Sequence, residues 1–211
     1  MSDIKLHYFN YYARGEMIRM ILHYHGDQFT DHRVTVEELP ALRTSGLAEF
    51  GQLPVLEIDG LVLVQSRSIA RYLCQKFGYY PTSLENCYWS ESLLDFREDI
   101  LNEYLKAKSS GNSEQVEKLF EEKVPDWLRK AETRLERNNG GNGWFVADSI
   151  SLADFAVFQT VWDYMLCEAK VNRRGPLVAS CAPKLRLWAD RLLESSASLR
   201  HYLETRQVLD F

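Results

Sequence analysis

Residues 54–64 carry the feature that most restricts the possible folds, a β-hairpin that leads directly into a helix. Two short apolar runs flank Asp59-Gly60, a pair that favours tight hairpin turns because both positions tolerate positive φ. Ser66 follows at once, and serine is a preferred residue at helix N-caps. The apolar residues after it recur at helical spacing. This arrangement predicts a mixed α/β domain in the first part of the chain.

The residues before the hairpin supply further strands and helices. Residues 3–9 alternate between apolar and polar side chains, which predicts a strand. Residues 14–25 carry apolar side chains at helical spacing, and Gly26 supplies a typical C-terminal stop. Residues 28–34 form a second candidate strand. We therefore predict the order β-α-β-α-β-β-α, a thioredoxin-like pattern, over residues 1–80.

The remainder of the chain is predicted to form an all-α domain over residues 84–211. Pro81 marks the best linker candidate, because proline disfavours helix at the residue before it. Pro125 is expected to kink or restart the second helix of this part. Ser151 and Asp154 have the spacing of a capping box. The predicted helices cover about 84–108, 113–138, 151–168, 183–194 and 196–206.

Composition argues against several classes of function. The net charge is −5 and no Lys/Arg run occurs, so nothing favours nucleic acid or an anionic membrane surface. No stretch approaches the roughly 18 apolar residues of a membrane span, and the N-terminus lacks a signal-peptide pattern. The four cysteines are scattered, which fits a reducing compartment and a cytoplasmic protein. No Cys/His grouping has metal-site spacing, so we predict no metal.

Tyr8 is the first candidate for chemistry. It ends the first predicted strand, just before an aromatic loop and Arg14. A strand end beside a helix N-terminus is a common place for a binding site in α/β folds, and a tyrosine hydroxyl there can donate a hydrogen bond to a thiolate. The alternative is an amphipathic core residue with its hydroxyl at the surface.

Two further groups stand at strand boundaries. Gln52-Leu53-Pro54 precedes the hairpin, where a cis peptide bond would present the backbone of Leu53 to a peptide-like ligand; an ordinary trans proline is the alternative. Gln65-Ser66 lies where a strand gives way to a helix. That position suits a carboxylate ligand, although a plain N-cap explains it equally well.

Three acidic residues share one face of the first predicted helix of the second domain. Asp95, Glu98 and Asp99 are spaced three and four residues apart. Such a face can bind an ammonium group or a divalent cation. A solvated acidic face is the simpler explanation of the same pattern.

In combination, these segments resemble cytosolic glutathione transferases, most closely the sigma class, over nearly the whole chain. The matching segments are Leu6–Asn10, Arg14, Glu16–Arg19, Asp31–Arg33, Gln52–Pro54, Leu56–Gly60, Gln65-Ser66, Ile69–Leu73, Ser151–Asp154 and the pattern Pro183, Leu199, Tyr202, Leu203, Arg206. The resemblance implies a glutathione transferase fold, glutathione as co-substrate, and a homodimer.

The resemblance also implies roles for single residues. Tyr8 matches the tyrosine that stabilises the glutathione thiolate. Leu53 and a cis Pro54 match the pair that binds the cysteinyl backbone, and Gln65 and Ser66 match the pair that holds the γ-glutamyl end. Further glutathione contacts are implied for Arg14, Arg43, Gln52 and, across a dimer interface, Asp99. The candidate walls of an apolar electrophile pocket are Phe9, Tyr11, Tyr12, Tyr104 and Phe211.

The chain departs from the sigma pattern in three places. Tyr12-Ala13 stands where Arg-Gly is usual, so Ala13 lacks the conformational freedom of glycine. Leu39 replaces a tryptophan that commonly donates to the glycyl end of glutathione, and leucine has no donor. The loop over residues 45–50 is about two residues longer than in the nearest relatives. These changes bear on affinity and on the choice of electrophile.

Three functions are compatible with the resemblance. The first is a general transferase acting on electrophiles. The second is a glutathione-dependent isomerase of the prostaglandin D synthase type, in which the acidic residues would matter as a metal site. The third is a non-catalytic, crystallin-like protein, against which Tyr8 and Gln65-Ser66 argue. A thiol-transfer enzyme of the omega type would need a cysteine at the strand end, and none lies there.

Overall fold

The computed structural model of the chain describes residues 3–163 and 179–208. The strands are β1 (Lys5–Phe9), β2 (Thr30–Val34), β3 (Val55–Ile58) and β4 (Leu61–Val64). The helices are α1 (Ala13–His25), α2 (Leu39–Thr44), α3 (Ser66–Lys76), α4 (Leu84–Ser109), α5 (Ser113–Lys118), α6 (Val124–Glu136), α7 (Leu152–Val161), α8 (Pro183–Glu194) and α9 (Ala197–Thr205). The β-α-β-α-β-β-α order predicted for the first eighty residues is confirmed.

The chain packs as two compact units, and the first is discontinuous in sequence. It joins Met1–Phe77 to Ser196–Phe211, and the second unit is Gly78–Ser195. The sequence-based division into 1–80 and 84–211 placed the last helix with the other helices. Packing differs, because α9 lies against α1. The division by function, with a glutathione-binding and a helical domain, stays a prediction.

The sheet of the first unit has the strand order β2-β1-β3-β4. Strand β1 runs parallel to β2 and antiparallel to β3, and β4 completes the hairpin with β3. Leu6 pairs with Leu56, which pairs with Leu63, so apolar side chains continue across the sheet. Met17 on α1 and Ile69 on α3 are fully buried with Leu6 and Leu56. This core fixes the carboxyl end of β1 beside the start of α1.

In the second unit, α4 packs along α7, and every residue of α7 is buried. The predicted capping box of Ser151 and Asp154 is present at its start. Asp154 also accepts hydrogen bonds from the Phe145 backbone at 3.0 Å and from Nε1 of Trp188 on α8 at 2.9 Å. One carboxylate therefore joins a helix start, a loop and a second helix.

The helix predicted over 113–138 is interrupted. A π-helical turn, Leu119–Lys123, separates α5 from α6, and Pro125 lies in the first turn of α6. Proline suits that position because the first-turn amides have no acceptor within the helix. Pro125 thus restarts the helix, as its position in the sequence indicated. The predicted helix over 151–168 is described only as far as residue 163.

Within the described ranges, no helix combines the length and the apolar character needed to cross a bilayer.

Candidate functional site

Tyr8 lies near the end of β1 with only 6% of its surface exposed. Its hydroxyl oxygen accepts a hydrogen bond from the backbone N–H of Arg14, 3.2 Å away, in the first turn of α1. Amides at a helix N-terminus carry partial positive charge, which favours negative charge nearby. A hydroxyl that accepts from such an amide becomes a better donor, since hydrogen bonds in a chain polarise one another.

Gly15 allows the Tyr8 ring to lie against α1. A β-carbon on residue 15 would lie 2.3 Å from Cδ1 and 2.7 Å from Cγ of Tyr8, distances that no real side chain tolerates. The sequence-based prediction missed this residue. The available signal was a glycine in the first turn of a helix otherwise made of good helix formers.

The loop between β1 and α1 is strained at Ala13. Its φ is 25°, at the margin of the left-handed region that glycine adopts freely and other residues rarely adopt. The sequence departure noted at this position therefore has a conformational cost. Tyr12 beside it is 2% exposed. The Tyr12 hydroxyl donates to the backbone oxygen of Gln207 at 2.5 Å, and the Arg206 guanidinium lies 4.1 Å from the ring centroid.

A buried cluster of ion pairs is hydrogen-bonded to the backbone of this loop. Arg19 is fully buried and bonds Asp31 through Nε at 3.0 Å and Glu16 through Nη1 at 3.1 Å. The same guanidinium donates to the backbone oxygens of Tyr11 at 2.9 Å and Phe9 at 3.4 Å. It also lies 5.6 Å from the ring centroid of Tyr8. Arg19 thus holds the segment after Tyr8, a role that sequence reasoning did not assign.

Glu16 is the acid of this cluster that pairs with both Arg19 and Arg206. It is fully buried and accepts hydrogen bonds from the Tyr202 hydroxyl at 2.8 Å and from the Arg206 guanidinium. Burial alone would raise the pKa of Glu16, but the guanidiniums of Arg206 and Arg19 hold it below its ordinary value. Burial and the adjacent Glu16 raise the pKa of Tyr202. Glu16 is therefore an anion and Tyr202 a neutral donor at pH 7.

The peptide bond between Leu53 and Pro54 is cis, in agreement with what the resemblance implies. Pro54 is buried, Leu53 is half-buried and Gln52 is exposed. Arg43 stabilises the loop before Gln52, because its Nε donates to the backbone oxygen of Gly51 at 2.8 Å. The guanidinium is otherwise on the exposed side of α2.

Gln65 and Ser66 link β4 to α3. Gln65 has a φ of 71°, a conformation that costs a non-glycine residue about 1–3 kcal/mol. Ser66 is buried and is the first residue of α3. The prediction that Ser66 caps this helix is wrong, because Gln65 occupies the cap position, and it makes no side-chain cap hydrogen bond.

The predicted electrophile-pocket residues lie in both units. Phe9 is half-buried and Tyr11 is 50% exposed in the first unit, while Tyr12 is covered by the C-terminal segment. Tyr104 belongs to the second unit, where its ring makes an edge contact with Phe120 at 6.2 Å. Phe211 lies outside the described residues. The pocket itself stays a prediction.

The acidic face of α4 is partly neutralised. Asp95 and Asp99 are exposed. Glu98 forms an ion pair with Arg97 at 2.9 Å, and Arg97 is buried against Gln159 of α7. Across residues 3–163 and 179–208, no three His, Cys, Asp or Glu side chains are grouped as a metal site requires.

The sequence matches two family profiles that together span most of the chain. The glutathione S-transferase N-terminal domain covers residues 4–75, and the glutathione S-transferase C-terminal domain covers residues 94–206.

Individual proteins give the same result. Probable glutathione S-transferase 7 of Caenorhabditis elegans is 33% identical over 220 residues, with 100% of both chains covered. Human hematopoietic prostaglandin D synthase is 32% identical over 158 residues, which cover 74% of this chain and 76% of the synthase. S-crystallin SL11 of Nototodarus sloanii is 32% identical over 184 residues, which cover 85% and 89%. Among solved structures, monomeric Na-GST-3 of Necator americanus superposes with a TM-score of 0.79 at 28% identity, covering 99% and 100%.

Proposed function

Because the chain belongs to the glutathione S-transferase family, we propose that it joins the thiolate of glutathione to small apolar electrophiles, with Tyr8 as the activating residue. Members of this family use glutathione as co-substrate. The observation that carries the proposal is the placement of the Tyr8 hydroxyl, which accepts from the Arg14 amide at 3.2 Å at the start of α1.

The chemistry requires a thiolate at neutral pH. A cysteine thiol has an ordinary pKa near 8.5, so little of it is ionised at pH 7. Lowering that pKa by about two units requires roughly 2.7 kcal/mol of preferential stabilisation of the anion. A hydrogen bond from Tyr8 to the sulfur is charge-assisted. The helix N-terminus and the buried Arg19 add a positive field. Tyr8 acts as a donor in this scheme and need not remove a proton.

Glutathione would lie along the cis-proline loop and the start of α3. The backbone of Leu53 would pair with the cysteinyl unit, as an added strand does at a sheet edge. Gln65 and Ser66 would hold the γ-glutamyl carboxylate at the N-terminus of α3, where helix amides favour an anion. Arg14, Arg43 and Gln52 would supply further contacts. Leu39 offers no donor to the glycyl end, which reduces affinity by about 1–3 kcal/mol relative to a donor there.

A homodimer is the second part of this proposal. Asp99 is exposed on α4 and would reach the γ-glutamyl ammonium bound to the other subunit. An interface that uses the same residue from both subunits implies two-fold symmetry. Loss of this charge-assisted contact in Asp99→Asn should weaken glutathione binding by roughly 1.5–3 kcal/mol. A fully active monomer in sedimentation would exclude the shared site.

A glutathione-dependent isomerase is the second candidate, favoured by the similarity to hematopoietic prostaglandin D synthase. A non-catalytic role like that of an S-crystallin is a third candidate. The presence of Tyr8 together with Gln65 and Ser66 favours an enzyme. Assignment to the sigma-like class rests on the same relatives and on the matching segments of the sequence. The cytoplasmic location also stays a prediction, which fractionation of source cells tests directly.

The decisive experiment combines capture on immobilised glutathione with a conjugation assay on a model aryl halide. The wild-type protein should bind the column and form the conjugate. Tyr8→Phe should lower the rate by about 10²-fold or less, because it removes one hydrogen bond from an otherwise intact site. Unchanged turnover in Tyr8→Phe with full glutathione affinity would exclude Tyr8 as the activator.

A further inference from the structure

Among the residues that the structure describes, the ion cluster beneath the β1–α1 loop joins three guanidiniums to two carboxylates. Its guanidiniums belong to Arg19, Arg33 and Arg206, and its carboxylates to Glu16 and Asp31. Each carboxylate is shared between two guanidiniums, so neither acid neutralises Arg19 fully.

Arg206 is the member of the ion cluster most distant in sequence from Glu16, 190 positions later. It follows α9 and its Nη1 bonds Glu16, with side-chain exposures of 4% for the arginine and 0% for the acid. Its guanidinium also lies on the ring of Tyr12. Tyr12 in turn donates to the backbone oxygen of Gln207. The segment after α9 is thus fastened to the loop that follows Tyr8 by one ion pair, one ring contact and one hydrogen bond.

We infer that Arg206 is a positioning residue for the thiolate site. Because Arg206 pairs with Glu16, the negative charge of Glu16 neutralises less of the positive charge of Arg19, which lies at the ring of Tyr8. This inference rests on the proposed function of Tyr8. In this scheme, Arg206 contacts neither the glutathione sulfur nor the Tyr8 hydroxyl. It acts through Glu16 and Arg19, and Tyr12 holds it in place.

The electrostatic argument gives a direction. Without Arg206, the cluster would lose one positive charge next to Glu16. A less positive cluster stabilises a thiolate less, so the thiol of bound glutathione would hold its proton to a higher pH. Charges buried at this depth are weakly screened, so the effect persists at physiological salt. Two further titratable groups bear on Glu16: Tyr202 of α9 donates to it, and His23 of α1 is close enough for Glu16 to raise its pKa against the opposing effect of burial.

The experiment compares charge variants by the pH profile of kcat/KM for conjugation and by the ultraviolet absorbance of the bound thiolate. In Arg206→Met, the thiol pKa should rise by about 0.5–1 unit, and at pH 6.5, about two units below the ordinary thiol pKa, kcat/KM should fall about 2–6-fold. The KM for glutathione at high pH should change little. Arg206→Lys should restore most of the wild-type profile. Arg200→Met changes an exposed arginine of α9 and should have no effect.

Two single variants and one double variant separate the effect of the Arg206 charge from the effect of its packing against Tyr12. Tyr12→Phe removes the bond to Gln207 and no charge, so it should leave the thiol pKa unchanged; an equal shift there would overturn the inference. Glu16→Gln removes the anion and should lower the thiol pKa, which gives a test even if Arg206→Met does not fold. The double variant Glu16→Gln/Arg206→Met should return the profile towards wild type, because both charges are gone.

The result for Tyr8→Phe separates this inference from the proposed function. If Tyr8→Phe raises the thiol pKa while Arg206→Met and Glu16→Gln leave it unchanged, the role of Arg206 is refuted and Tyr8 remains the activator. If Tyr8→Phe also leaves the thiol pKa unchanged, the proposed function and this inference both fail.

Discussion

Residue 15 and Tyr8 are in such close contact that a β-carbon at position 15 would lie 2.3 Å from Cδ1 of the tyrosine ring. Gly15→Ala must therefore push the ring out of place. We expect conjugation to fall at least tenfold, because misplacement by about 1 Å is costly in a catalytic site, and stability to fall by about 1–3 kcal/mol.

Gly143→Ala is the matched control for this change. A β-carbon at position 143 meets nothing within 4 Å, and the residue has no positive φ. Its rate and its urea midpoint should equal those of the wild-type protein. If Gly15→Ala kept the full rate as well, the position of the Tyr8 ring would not matter for activation.

Gln65 should separate stability from binding. Glycine adopts the φ of 71° at this position without strain, so Gln65→Gly should raise the free energy of unfolding by about 1 kcal/mol. The same change removes the amide proposed to hold glutathione, so the KM should rise. Gln65→Ala should raise the KM with no gain in stability. Equal stabilities of the two variants, measured by urea unfolding, would contradict the strain argument.

Asp154 should be among the costliest acids to replace. Its two oxygens accept from two backbone amides, the Ser151 hydroxyl and the Trp188 indole. Asp154→Asn turns an amide N–H₂ towards some of these donors, and we expect a loss of about 3 kcal/mol in the free energy of unfolding. Asp148→Asn changes an exposed acid nearby and should be neutral. Equal urea midpoints for the two variants would refute the proposed role.

His23 should make stability depend on pH. Burial lowers its pKa from 6.5 to about 4, against the opposing effect of Glu16. The unfolded chain then binds more protons than the folded one between these values, so stability falls as the pH drops from 6.5 to about 4. His23→Phe keeps an aromatic ring against Tyr202, which stacks on His23 at 3.9 Å. Thermal unfolding across this range should show a flatter pH dependence in the variant; an identical slope would exclude His23.

Local signals in the sequence predicted most elements of the fold. The Asp59-Gly60 turn, the helix stop at Gly26 and the capping box of Ser151 each depend on a few neighbouring residues, and each lies where it was predicted. The cap at Ser66 was wrong because the strained Gln65 takes the cap position. Contacts between distant parts of the fold decided which residue became the N-cap of α3, and a local pattern of residue types carries no information about such contacts.

The ion cluster could not be predicted in the same way. Glu16 and Arg19 have ordinary helical spacing, which indicates a surface pair as readily as a buried one. Burial of this pair depends on Tyr202 and Arg206, which no local pattern connects to α1. Gly15 was missed for a related reason, since its role is set by the ring of Tyr8 on another element.

The discontinuous first unit has a consequence for synthesis on the ribosome. Glu16 finds two of its partners 186 and 190 positions later in the chain. At a translation rate of about 5–20 residues per second, this acid and the apolar surface beneath α9 wait roughly 10–40 s for α9 to emerge. The whole of the second unit is made during that interval. The nascent first unit therefore becomes complete only when residue 206 has left the exit tunnel, and until then the partners of Glu16 are missing.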